Sequence, residues 1–148
     1  MKIFNKKARF NYELTERIEA GIVLTGAEVK SAKEGKVSLN DSFARVDENG
    51  EAWLLNCHIH PYQFADNSRY EPTRSRKLLL KRKEILSLQK KMEGRNLTLV
   101  PLAMYLKKGK IKVELAIGRG KKQWDKRDAI KKRESDRELA RAIRGKVI

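Results

Sequence analysis

Residues 110–118, KIKVELAIG, carry the pattern that decides the fold. Ile111, Val113, Leu115 and Ile117 alternate with Lys112, Glu114 and Ala116. A strict period of two marks a strand with one face buried. Just before it, Lys107-Lys108-Gly109-Lys110 reads as a tight hairpin turn, with Gly109 available for positive φ. The preceding stretch, NLTLVPLAMYLK (96–107), is apolar on both faces, as a buried strand is. Its Pro101 cannot donate to a ladder, so that strand is expected to lie at an edge or carry a bulge.

Working outward, the same signals recur. SFARVDENGEAWLLNC (42–57) is a second hairpin, with Asn49-Gly50 at its turn. FNYELTERIEAGIVLTG (10–26) offers two strand segments, 9–17 and 20–25. Two helices interrupt the strands. GAEVKSAKEG (26–35) is short, with Gly35 at its C-terminal stop. In KLLLKRKEILSLQKKMEG (77–94), Leu78, Ile85, Leu88 and Met92 share a helical face and Gly94 closes it. The segment between, HPYQFADNSRYEPTRSR (60–76), is polar and irregular and reads as a long loop. The sum is a mainly β chain: an antiparallel, OB-like barrel of about six strands with two or three helices.

Charge divides the chain. Among 148 residues, Lys and Arg outnumber Asp and Glu by 35 to 19, giving +16 on 17.1 kDa and a sequence pI of 10.1. Such a balance repels itself unless a polyanion neutralises it, which is the footprint of a nucleic-acid binder. Residues 119–148 hold twelve Lys or Arg against five Asp or Glu and have little apolar periodicity. The reading is therefore a barrel over 1–118 and a basic C-terminal tail over 119–148. In the tail, Arg133, Arg137, Arg141 and Arg144 recur at helical spacing. Leu139, Ala140 and Ile143 give only a narrow apolar patch. Like charges at that spacing oppose an isolated helix, so the tail is expected to be disordered when free and helical once bound to phosphate.

Other chemistries find less support. Cys57, His58 and His60 suggest a metal site, but the chain has no further Cys or His, and zinc needs three or four ligands. No Walker loop, nucleophile elbow or dinucleotide fingerprint is present. The carboxylates Glu13, Glu16, Glu19, Glu28, Glu34 and Asp41 are scattered, so a metal-dependent nuclease has no marked pair to use. No enzyme, metal or cofactor is expected. One cysteine, no signal peptide and no membrane-length apolar run fit a cytoplasmic protein. Basic residues interleave with aromatics in NKKARF and cluster in PTRSRKLLLKRK, which favours RNA. A ribosomal or assembly protein with a basic extension shares this composition.

The ordered motifs narrow the field. NKKA (5–8), GAEVKS (26–31), Asp41-Ser42, EPTRSRKLLL (71–80) and GKKQWDKR (120–127) together resemble the small protein B family, the tmRNA (SsrA)-binding proteins of bacterial trans-translation. The resemblance spans nearly the whole chain. It implies a monomeric barrel that binds the tRNA-like domain of tmRNA and stands in for a missing anticodon arm. By motif position, Glu28 and Leu79 match residues implicated in RNA binding. The resemblance and the basic runs place Asn5, Lys7, Tyr12, Lys30, Arg74, Arg76, Lys77 and Lys81 on the same surface, with Arg74, Arg76 and Lys77 reaching phosphate. It further implies that the tail meets the rRNA of the decoding centre and the mRNA channel of the ribosome. There the contacts fall on Lys121, Lys122, Trp124, Asp125, Lys126, Arg127, Lys131, Lys132 and Arg133. Two positions depart from the pattern: Trp124 stands where His is frequent, and Lys81 where Asn is frequent. Trp124 keeps stacking but gives up a proton near neutral pH.

Overall fold

The computed structural model describes residues 1–120; the expectations for Lys121 onward lie outside the described residues. In chain order the elements are β1 (Lys2–Phe4), α1 (Ala8–Asn11), β2 (Tyr12–Ile22), α2 (Gly26–Lys33) and β3 (Val37–Ser38). There follow β4 (Phe43–Val46), β5 (Ala52–Leu55), β6 (His58–Ile59), β7 (Arg76–Leu79), α3 (Arg82–Met92), β8 (Thr98–Lys107) and β9 (Lys110–Gly120).

The strand that opened the reading is β9, and its alternation holds from Ile111 to Leu115, whereas Ala116, read as outward-facing, is buried as well. Ile111, Val113, Leu115 and Ile117 are all buried, while Lys112 and Glu114 are half-exposed. β9 pairs antiparallel with β8 through the Lys107–Lys110 turn, where Lys108 has φ 50° and Gly109 φ 76°. Two consecutive left-handed residues match a type I′ turn, whose twist suits a hairpin. The pairings then run β8–β4, β4–β5, β5–β7, β7–β2, β2–β9 and back to β8, all antiparallel. That ring closes a six-stranded barrel. β1 is an added strand on β8, and β3 pairs with β6 in a separate two-stranded sheet. Leu54, Leu78, Leu99, Met104, Val113 and Leu115 fill the interior, each 2% exposed or less.

Pro101 resolves as a bulge rather than an edge. The β8 register shifts between Pro101 and Ala103, with strands on both sides of β8. Asn5 fits the irregularity: its backbone N–H donates to the Leu102 carbonyl at 2.8 Å and its side-chain amide to the Pro101 carbonyl at 2.8 Å.

Three expectations change. The segments 9–17 and 20–25 are one strand, β2, preceded by the short helix α1; the interruption is a bulge at Glu16, with φ 41°. Leu78 belongs to β7 and the barrel core, not to a helix face, because the chain turns at Leu80–Lys81 before α3 begins. β9 continues two residues past the boundary expected at Gly118, since Arg119 and Gly120 pair with Glu13 and Tyr12. The helices number three among the described residues, within the two or three expected.

Candidate nucleic-acid interface

Helix α2 begins with a capping box. Thr25 Oγ1 accepts from the Glu28 backbone N–H (3.2 Å), and Glu28 Oε1 accepts from the Thr25 backbone N–H (3.0 Å). This fixes the Glu28 side chain at the first turn, where it reaches across to the end of the long loop. Arg76 donates through Nε to Glu28 Oε2 at 2.7 Å, and its Nη2 lies 2.6 Å from the same oxygen. Arg74 also pairs with both carboxylate oxygens. Arg76 spends its other N–H groups on the carbonyls of Cys57 (2.6 Å), Pro72 (2.9 Å) and Arg74 (3.2 Å) and on the Tyr70 hydroxyl (3.2 Å). The Tyr70 hydroxyl in turn donates to the Ile59 carbonyl at 2.8 Å.

Glu28 is 1% exposed and Arg76 0%. Burial alone would push the Glu28 carboxyl up. The hydrogen bonds from Arg74, the Thr25 backbone and Arg76 outweigh it and hold the group below the ordinary Glu range. Burial, then the charge of Glu28, raises the Tyr70 phenol. Burial pushes the Cys57 thiol up to about 11, so it is a core residue rather than a thiolate.

These facts correct two assignments. Arg76 was expected to meet phosphate and Glu28 to lie on the RNA-binding surface, yet both are enclosed and bonded to each other. Two buried opposite charges offset their desolvation only through well-placed partners, and here those partners tie α2, β7 and the loop together. Arg74 keeps a third of its side chain exposed and remains accessible.

The other expected residues fall into three places. Leu79 is 53% exposed on β7. With Lys77, Lys81, Arg82 and Lys112 it lines an open groove of about 1020 Å³ between β7, the β4–β5 turn and α3. Lys77 is loosely tied there to Glu51 (3.5 Å), and the Lys81 backbone N–H donates to Glu84 (2.9 Å) at the start of α3. Asn5, Lys7 and Tyr12 meet around a smaller cavity of about 190 Å³ that also holds Asp41 and Ser42. Lys7 faces Asp41 across it at 3.9 Å. Lys30 is exposed on α2, its ammonium 5.5 Å from the Tyr62 ring centre. Lys121 and the other tail residues lie outside the described residues.

His58 and His60 stand close together, edge-on, with ring centres 4.7 Å apart. Among the described residues, no group of three or more His, Cys, Asp or Glu is placed to hold a metal. Nor is any helix among them long and apolar enough to cross a membrane. Sequence reasoning missed Tyr70, which ties the loop to the brace. Its place among three aromatics of that loop, four residues before Arg74, was the available signal.

With this geometry in hand, the comparisons are specific. The family model for SmpB protein matches residues 2–145. An SsrA-binding protein of Sulfurihydrogenibium sp. (strain YO3AOP1) is 51% identical over 143 residues, covering 97% of this chain and 93% of that protein. One from Desulforudis audaxviator (strain MP104C) is 53% identical over 142 residues, covering 96% and 92%. A chain solved in work described as "tmRNA-SmpB: a journey to the center of the bacterial ribosome" is 44% identical, with a TM-score of 0.69, covering 87% of this chain and 94% of that one.

Proposed function

The chain belongs to the SmpB family, and on that premise we propose that it is a non-enzymatic adaptor that binds the tRNA-like domain of tmRNA. It delivers that RNA to stalled ribosomes for trans-translation, in the cytoplasm. The observation that carries this reading is full-length likeness to SsrA-binding proteins in a chain of net charge +16. The barrel supplies the shaped RNA surface: Leu79 with Lys77 and Lys81 on the β7 groove, Lys30 and Arg74 beside α2, and Asn5, Lys7 and Tyr12 around the small cavity. Glu28 and Arg76 serve that surface by holding it in shape. Residues from Lys121 onward supply the contacts with the decoding centre and mRNA channel.

The test is to sequence the RNA bound to the affinity-tagged protein drawn from cells. Enrichment of tmRNA is expected. Bulk rRNA without tmRNA would instead mark a ribosomal or assembly protein. A truncation after Gly120 tests the division of labour: it should keep tmRNA binding and lose peptide tagging, and equal loss of both would refute the division.

A further inference from the structure

The long loop between β6 and β7 carries an aromatic that the barrel does not use. Phe64 is 77% exposed, the most exposed of the large apolar side chains among the described residues. A single exposed apolar residue on a floppy loop would need no explanation. This loop is tightly bonded. The Tyr62 carbonyl accepts from the Ala65 N–H (3.1 Å) and from the Asn67 side-chain amide (2.8 Å). Asp66 accepts from the Ser68 N–H (3.1 Å), and the Asn67 carbonyl from the Tyr70 N–H (3.2 Å). Tyr70 and Arg74 then fasten the loop to Glu28 and Arg76. The buried brace thus fixes a loop whose tip shows an aromatic to solvent.

The neighbours of Phe64 say what would cover it. Tyr62 stands against it edge-on, ring centres 5.4 Å apart and planes at 71°, which supports one side of the Phe64 ring and leaves the rest open. On α2, Lys30 reaches toward the Tyr62 ring, and Arg69 and Arg74 belong to the same loop. An exposed π-face on a bonded loop with cations nearby suits an unstacked base with its phosphate, since every base offers a π-face and the backbone is anionic.

We infer that Phe64 is a base-stacking residue of the RNA surface, with Tyr62 as its support and Lys30 as the adjacent phosphate contact. This rests on the adaptor reading and adds a contact to it. Phe64 touches no core, so Phe64→Ala leaves the fold intact and isolates the stack. The experiment measures the affinity of the full-length protein for a transcribed tRNA-like domain of tmRNA across a salt series. Phe64→Ala should weaken binding about tenfold or more, the scale of one aromatic–base stack. The slope of log affinity against log salt should stay unchanged, because no phosphate contact is lost. Phe64→Trp should restore affinity and Phe64→Leu should not. Wild-type affinity in Phe64→Ala, or full rescue by Leu, overturns the inference and leaves the adaptor reading standing. Failure of the wild-type protein to bind that RNA overturns both.

Discussion

At the scale of single residues, the Glu28–Arg76 pair decides how the proposed RNA surface is held in shape. Two buried charges are expensive to desolvate, and their attraction offsets that cost only when every donor is placed. Here Arg76 is fully committed, and Glu28 has two guanidinium partners and a backbone N–H. Removing one member leaves the other buried without compensation. Glu28→Gln should therefore lower unfolding stability by about 3–5 kcal/mol in urea titrations. An effect as small as a surface salt bridge, under about 1 kcal/mol, would mean the pair is solvated. The pH dependence follows from the lowered Glu28 carboxyl. A carboxyl titrating lower in the folded than in the unfolded state adds stability above its unfolded value, near pH 4.3. That stability fades as pH falls through the folded value. Between about pH 5 and pH 3 the wild type should lose stability more steeply than Glu28→Gln. Parallel curves would show that Glu28 does not drive the acid transition.

At the scale of elements, the β8–β9 hairpin and its seam with β2 show what patterning reveals and what it hides. The period of β9, the Gly109 turn and the Asn49-Gly50 hairpin were legible because each rests on local geometry: alternation and positive φ. The unity of β2 was not, because Glu16 breaks the alternation with a left-handed residue, flanked by Thr15 and Arg17 paired to β9 and joined to Lys91 by an ion pair (2.7 Å). Leu78 was taken into a helix because a run of three leucines fits either period. Its burial against the barrel interior settles it, and that depends on distant strands. Arg76 and Lys77 are adjacent and chemically alike in sequence, yet alternation along β7 sends one inside to Glu28 and the other out toward Glu51. Nothing local says which carboxylate waits within. The seam itself depends on Gly118. A Cβ there would come within 2.9 Å of Val100 Cγ2 and 3.2 Å of Tyr12 Cβ. Val100 is fully buried and Tyr12 Cβ moves only with its strand, so neither yields easily. Gly118→Ala should cost about 1–3 kcal/mol by overpacking. Gly120→Ala, with open space around its Cβ, should stay within about 0.5 kcal/mol. Equal melting temperatures for the two variants would show that the seam has slack.

At the scale of the whole molecule, charge is spread unevenly along the chain. Residues 1–120 keep twenty-four Lys or Arg against fourteen Asp or Glu, and the remaining 28 residues hold eleven against five. If the barrel alone grips the tRNA-like RNA, the tail's cations release no counterion when that RNA binds. The number of phosphates neutralised then appears directly as the slope of log affinity against log salt, about 0.7–0.9 per phosphate. Full-length protein and a form ending at Gly120 should give the same slope on the tRNA-like RNA, steep in both. If the tail's Lys and Arg meet rRNA on stalled ribosomes, as proposed, the full-length protein carrying its tmRNA should be the more salt-sensitive there. A truncation that flattens the slope on the isolated RNA by several units would place the tail in the primary grip. The separation between barrel and tail would then have to be abandoned, even with tmRNA confirmed as the partner.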